Sequence, residues 1–391
     1  MDFRALVAGV VAGLIGATHA GAQDSIKIGL ILPYSGQFAD TASQLESGIK
    51  LYIKQHGAAV AGRKIELLRR DTGGVAPDVA RRLAQELVLR DNVDVLAGFV
   101  LSPNTLAAAD VSAAAKKLMV VMNAGASIIT TKSPYATRTS VTLPQVSEAF
   151  GAWAARSGIK KAYSMVSDFA PGHDAEAGFQ RAFTAAGGEM VGSVRFPVVN
   201  PDFSAFVQRA KDVNPQAIFL FIPAGAQPAA FGKAIAERGI DPNKTRILGT
   251  GETTSEGALK SMGDTALGII TAWNYDYNQD SQLNQTFVKE YNEAFRRNPD
   301  FTSVGGYDGM HLIYEALKKA GGNSDGEALI TAVKGLAWES PRGPVAIDPD
   351  TRDIVQTIYI RRVEKVGDSL RNVVFGKVEN VKDPVLARMK N

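Results

Sequence analysis

The sequence predicts an α/β protein built as two doubly wound lobes joined by several crossings of the chain. Three observations carry this. From Ser25 onward, short apolar strand candidates alternate with amphipathic helices; the alternation restarts near Lys160; and the helical stretch after about residue 280 has no strand of its own until close to the C-terminus. Strands and helices of these lengths call for right-handed βαβ units and a parallel sheet covered on both faces. At 391 residues, 45% of them hydrophobic, the chain can fill two globular cores.

The first lobe opens with IKIGLILP, followed by a helix around Asp40 to Gln55. KIELLRRD then precedes PDVARRLAQELVLRD, VDVLAGFV precedes SPNTLAAADVSAAAKK, and LMVVMNAG is followed by a short YATRTSV. In the second lobe KKAYSMVSD leads into GHDAEAGFQRAFTAAGG, EMVGSVRFP into DFSAFVQRAKDVNP, AIFLFIP into AQPAAFGKAIAERG, and RILGTG into SEGALKSMG. The later helices, SQLNQTFVKEYNEAFRRN, SVGGYDGMHLIYEALKKAGG and DGEALITAVKGLA, cannot make a third sheet and are expected to complete lobe 1. The closing β-like runs are GPVAID, IVQTIYIRRVEK and LRNVVFGKV.

Ahead of all this, Arg4 precedes an apolar run from Ala5 to Ala17, and Ala20, Gly21 and Ala22 follow in A-x-A spacing. That is the layout of a secretory signal cleaved near Ala22, giving a mature chain from Gln23. The run of about 13 residues is short of the ~20 a spanning helix needs. With no cysteine, disulfides, thiol catalysis, thiolate metal sites and an N-terminal lipid-modified Cys are excluded, which points to a freely diffusing periplasmic protein. The net charge of +3, with no basic run longer than a pair, leaves no footprint for nucleic acid.

Enzyme chemistry finds little support. Of four histidines, His19 lies in the signal, and His56, His173 and His311 are isolated, so neither a metal site nor a His base is expected. There is no G-x-S-x-G elbow, no phosphate loop and no G-x-G-x-x-G, and no cofactor is implied. Ligands of open parallel sheets bind off the carboxyl ends of the strands. Here those corners read PYSGQFAD, GFVLSPNT, NAGAS, SDFAPGHD, PAGAQP and GTGETTSE. In LSPNT, Ser102 is read as a helix N-cap with Pro103 in the first position, so the N–H groups of Asn104 and Thr105 can meet a carboxylate, or can belong to a plain helix start.

Taken together, IKIGLILPYSGQFADTASQLESGIKLYI, LAGFVLSPNTLAAADVSAAAKKLMVVMNAGAS, SDFAPGHDAEAGFQRAF, GGYDGMHLIYEALKKAGG and GPVAIDPDTRDIVQTIYIRRV resemble the branched-chain amino acid type of periplasmic substrate-binding protein. The resemblance runs from about Ser25 to the C-terminus. It implies a type I periplasmic-binding fold: two Rossmann-like lobes joined by three hinge crossovers, near Ser140 to Leu143, Ala272 to Tyr277 and Arg342 to Asp353. Lobe 1 would be residues 23–141 plus 274–345, and lobe 2 residues 142–273 plus 346–391. It further implies a receptor of an ABC importer that works as a monomer with an inner-membrane permease, closing like a hinge on a small-molecule carboxylate.

Carried over by position, the resemblance puts Phe38 over the ligand and gives Ser102, with backbone help from Asn104, to the carboxylate. Gly125 and Ser127 would supply a carbonyl and a hydroxyl, and Phe169, Pro171, Ala224 and Gly225 would form the lobe 2 wall. Glu252, ambiguous by one place with Gly251, would pair with an ammonium, and Tyr307 would line the cleft while Asp308 caps its helix. Arg138 is read as an interlobe salt bridge, Asp71 as a capped strand end, and Trp273 as a gate or as packing. Pro171 stands where leucine binders commonly carry tyrosine, and PAGAQP has no aromatic residue. The pocket therefore favours an aromatic acid such as a hydroxybenzoate or phenylpropenoate. The alternatives are a branched-chain amino acid or amide, or a sensor on the same fold.

Overall fold

The computed structural model describes residues 25–389, so the signal sequence and its cleavage near Ala22 lie outside the described residues. Among the described residues no helix is long and apolar enough to cross a membrane.

The first sheet contains β1 (Ser25–Leu32), β2 (Ala59–Val60), β3 (Arg63–Asp71), β4 (Val95–Gly98), β5 (Leu118–Val121) and β6 (Ala136–Arg138). Its order is β2-β3-β1-β4-β5-β6, parallel apart from the β2–β3 hairpin. The second sheet is built from β7 (Lys161–Ser167), β8 (Glu189–Phe196), β9 (Ala217–Phe221), β10 (Arg246–Thr250) and β11 (Ile270–Trp273), all parallel. Four late strands extend it in antiparallel fashion: β12 (Ala337–Ser340), β13 (Gly343–Ile347), β14 (Ile354–Val366) and β15 (Ser369–Val381). The order is β12-β13-β14-β11-β10-β9-β7-β8, with β15 on β14. Two doubly wound α/β lobes are thus present, as the alternation predicts.

The chain crosses between lobes after β6, after β11 and through the β12–β13 hairpin. That hairpin pairs with the start of β14, yet its Trp338 stacks on His311 at 5.1 Å and donates to Asp308 Oδ1 at 3.1 Å on the lobe 1 side. Helix Leu143–Arg156 packs on helix Ala170–Ala185 of lobe 2, whereas the later helix Phe301–Lys319 packs on Ala39–His56 of lobe 1.

Glycines set that second contact. A Cβ on Gly48 would lie 1.8 Å from the Ser303 carbonyl oxygen, and one on Gly306 would lie 2.1 Å from that of Leu45. Gly305 and Gly309 sit equally close to Met122 at the end of β5. The GGYDG run therefore lets the helix lie backbone to backbone on its neighbours. The start of this helix corrects a sequence expectation. The helix begins at Phe301, capped by Asp300 through the N–H groups of Thr302 and Ser303, so Asp308 is two turns inside it and caps nothing.

Buried ion pairs hold the crossings. Arg138 Nε bonds Asp353 Oδ1 at 2.6 Å, and its Nη1 donates to the carbonyls of Ala124 and Ala126. Arg342 pairs with Asp308 at 2.7 Å and Arg361 with Asp276 at 3.6 Å. Burial pushes the Asp353 carboxyl upward, and the Arg138 charge pulls it back.

Gly48→Ala is expected to destabilise the fold by ~1–3 kcal/mol or more, because backbone rather than a flexible side chain blocks the new methyl. Gly257→Ala, whose methyl would meet only the Asp40 carboxylate at 3.6 Å, should be close to neutral. Denaturant midpoints measure both; equal midpoints would mean that the two helices do not touch at backbone level.

Candidate functional site

The carboxyl ends of strands from both sheets converge on one small cavity of about 30 Å³, in the position where open α/β sheets bind ligands. A larger groove between the Asp276–Ser281 segment and β14–β15 is more open to solvent and is built around lobe 2 strands and one connecting segment. The smaller cavity is the one enclosed by both lobes.

On the lobe 1 side, the corner after β1 is shaped by Asp71. Its Oδ1 accepts the N–H groups of Tyr34 and Gly73, both at 2.8 Å, and of Ser35 at 3.3 Å. Burial opposes ionisation, but these bonds hold the carboxyl below the usual range. Gly36 takes φ +76 in this turn, where a side chain would strike the Gly73 carbonyl. The turn delivers Phe38 and Thr41 to the cavity wall.

After β4, the buried Phe99 adopts φ +66, a left-handed conformation costly for a non-glycine residue, and the chain swings Val100, Leu101 and Ser102 onto the cavity wall. Leu101, not Ser102, occupies the N-cap position of helix Ser102–Ala115, without a side-chain cap. The Ser102 hydroxyl instead accepts the Ala126 N–H at 3.1 Å and keeps its own hydrogen to donate. The Asn104 side chain is committed elsewhere: it donates to the Gly74 carbonyl and accepts the Ala76 N–H, both at 2.8 Å, and it does not line the cavity.

The NAGAS corner differs from the resemblance. Gly125 lines the cavity, but its carbonyl already accepts the Leu143 N–H at 2.9 Å. Ser127 lies off the cavity: its hydroxyl donates to Asp383 Oδ2 at 2.6 Å, and its N–H to Asp174 Oδ2 of lobe 2 at 2.8 Å. The Asp174 carboxyl is pushed up by burial, eased by that N–H and raised again by Asp383. These groups bridge the lobes, while Asn123 contributes the polar side chain on the wall.

From lobe 2 come Phe169, which is the N-cap residue of helix Ala170–Ala185, Pro171, Phe221 at the end of β9, Pro223 and Ala224. The rings of Phe169 and Phe221 lie 5.9 Å apart. Gly225, at φ +119, is against the Gln37 carbonyl rather than on the wall, so backbone meets backbone across the cleft and the lobes are closed. Tyr307 also lies off the cavity; its hydroxyl donates to Gln55 Oε1 at 2.6 Å and its ring packs edge-on against Tyr52 and Phe287. Trp273 is buried and its ring lies against Gly251.

Glu252 follows β10 in a 3-10 turn and lines the cavity. Its carboxyl accepts a hydrogen bond from the Thr250 hydroxyl at 3.3 Å. Burial pushes its carboxyl up to about 8, the Thr250 hydroxyl pulling the other way. Among the described residues, no arginine, lysine or histidine lines the cavity. Phe221, Pro223, Thr41, Asn123 and Leu143 were not singled out from sequence. Phe221 could have been, as the final residue of a strand whose carboxyl end faces the cleft.

The sequence profile of a family described as "periplasmic binding protein" matches residues 25–368. The chain is 42% identical over 355 residues to Leu/Ile/Val-binding protein homolog 6 of Brucella melitensis, covering 90% of this chain and 91% of that one. Two solved structures are similar throughout. The solute-binding protein of an ABC transporter from Rhodopseudomonas palustris BisB5, in complex with 3,4-dihydroxybenzoic acid, is 52% identical with a TM-score of 0.90, over 93% of this chain and 99% of that one. Its counterpart from strain HaA2, in complex with p-hydroxybenzoic acid, is 38% identical with a TM-score of 0.91, over 93% and 100%.

Ser102→Ala removes a donor to a bound carboxylate and should weaken such a ligand by ~1–3 kcal/mol in calorimetry; unchanged affinity would place the carboxylate elsewhere. Asp174→Ala removes the lobe 2 acceptor for Ser127 and should speed ligand release in stopped-flow dissociation while leaving the association rate nearly unchanged.

Proposed function

The chain belongs to the periplasmic binding proteins and is a solute-binding receptor of an ABC transporter, not an enzyme, and we propose that its solute is an aromatic carboxylate of the hydroxybenzoate type. The observation that carries this reading is the cavity wall. Phe38, Phe169 and Phe221, with Pro171 and Pro223, make flat apolar faces from both lobes, and Ala224 adds a small side chain beside them. A planar ring gains from such faces by burial and by stacking.

The polar groups fit an acid better than an amino acid. Ser102 offers an uncharged donor, Asn123 offers the second hydrogen of an amide that already donates to the Val100 carbonyl at 3.2 Å, and the start of helix Ser102–Ala115 adds its dipole. The carbonyl of Gly125 and the hydroxyl of Ser127, which would receive an ammonium, already have partners in the protein. The ligands of the two similar solute-binding proteins support the same class. Branched-chain amino acid or amide binding is the second reading, favoured by the name of the 42% identical relative and by Glu252 on the wall.

Capture would begin on lobe 1, where the carboxylate meets Ser102. Hinge closure then adds the lobe 2 faces and expels water. The closed form, acting as a monomer exported to the periplasm, is presented to the membrane permease. The binding residues are Phe38, Thr41, Ser102, Asn123, Phe169, Pro171, Phe221, Ala224 and Glu252.

A thermal-shift screen of protein starting at Gln23 tests the reading. At about 100 times its Kd, a true ligand adds ~2.7 kcal/mol of stability. 4-Hydroxybenzoate, 3,4-dihydroxybenzoate or cinnamate should shift the melting temperature and leucine or valine should not. A shift with leucine alone would overturn the assignment.

A further inference from the structure

We infer that Glu252 reads the far end of the ligand by hydrogen-bonding a hydroxyl on its ring, and so sets a preference for ring-hydroxylated aromatic acids over both benzoate and α-amino acids. The inference rests on the aromatic-carboxylate reading of the cavity.

Its basis is the placement of charge. The groups suited to a carboxylate, Ser102, Asn123 and the first turn of helix Ser102–Ala115, all come from lobe 1. Glu252 comes from lobe 2 and is, among the described residues, the one ionisable side chain on the wall. No charged group shares that wall with it: Thr250 and Gly251 precede it, Trp273 packs against Gly251, and Phe38, Thr41 and Ala224 share the cavity. An ionised Glu252 beside an anionic ligand would put two negative charges in one closed cavity with no cation. That arrangement is costly, and the group takes up a proton instead.

Burial acts the same way, raising the carboxyl from 4.5 to about 8 in the closed form against the pull of the Thr250 hydroxyl. A protonated carboxyl offers one O–H donor and one carbonyl acceptor, the complement of a phenolic hydroxyl, which can give and take a hydrogen bond. An unsubstituted ring leaves the carboxyl O–H without an acceptor on the ligand, the Thr250 hydroxyl being a donor to the same group. An ammonium group calls for the anion, which this wall disfavours.

Closure then carries a proton. In the open form Glu252 meets water and returns towards the usual carboxylate range, so at neutral pH it is ionised before binding and neutral after. The group is raised in the bound state, hence affinity is full below about 4.5, falls as pH climbs towards about 8, and levels off above it.

The test is isothermal titration calorimetry near pH 7 in buffers of different ionisation enthalpy, with 4-hydroxybenzoate, benzoate and leucine as ligands. Wild-type protein should take up close to one proton on binding 4-hydroxybenzoate and bind benzoate tenfold or more weakly. Glu252→Gln, whose amide also gives and accepts but needs no proton, should take up no proton and bind 4-hydroxybenzoate at least tenfold more tightly than wild type at pH 7, with an affinity that no longer falls between about 4.5 and about 8. Glu252→Leu should lose the preference for the hydroxyl while still binding benzoate, which also shows that it folds. Binding of 4-hydroxybenzoate without proton uptake, together with a loss of more than tenfold in Glu252→Gln, would overturn the inference and leave the aromatic reading standing. Binding of leucine alone, abolished in Glu252→Gln, would overturn both.

Discussion

Everything the two lobes do together depends on the buried arginine–aspartate pairs at the crossings. Arg138 with Asp353, Arg342 with Asp308 and Arg361 with Asp276 each bring charge into the interior, and each guanidinium also bonds backbone or side-chain oxygens of the connecting segments. Breaking such a pair by removing one partner typically costs ~3–5 kcal/mol, since the remaining charge stays buried. The connections are therefore cross-braced where they run side by side. Any movement between the lobes has to be absorbed by backbone around these braces.

Upon that frame the cleft divides its work. Lobe 1 supplies hydrogen-bond donors held by local structure: Asp71 organises one corner, the strained Phe99 turns the next, and Ala126 fixes the orientation of Ser102. Lobe 2 supplies apolar faces and a single acid. The direct bridges across the cleft, Ser127 to Asp174 and the Gly225 backbone to Gln37, lie beside the cavity and not in it. The closed arrangement thus has contacts of its own outside the cavity wall.

Much of this was legible in the sequence. Strand and helix periods differ sharply, so the alternation from Ser25, its restart near Lys160 and the late strand-free helices give both lobes and the order of their parts. The cavity was legible in outline, because strand ends are marked by Pro, Gly and hydroxyl residues. Individual side chains were harder to place. The GGYDG run reads as a distinctive motif near a cleft, but its glycines serve helix packing, and the tyrosine and aspartate inside it turn to Gln55 and Arg342. Ser127 carries a hydroxyl in a ligand corner, yet Asp383, more than 250 residues away, claims it. Phe221 looked like one more core residue of AIFLF. Such outcomes depend on pairings distant in the chain, which no local pattern encodes.

The late return of helix Phe301–Lys319 to lobe 1 has a consequence for how the molecule comes into being. Lobe 1 starts at Ser25 but lacks this helix until the whole first part of lobe 2 has been made, and lobe 2 in turn waits for β14 and β15. Neither core can close on an unfinished chain, and the decisive contacts span most of its length. Such long-range pairing makes folding slow relative to chain length. For a protein whose family works beyond the inner membrane, that delay is useful: the nascent chain stays loose enough to be moved, and the fold locks only once its last strands have arrived.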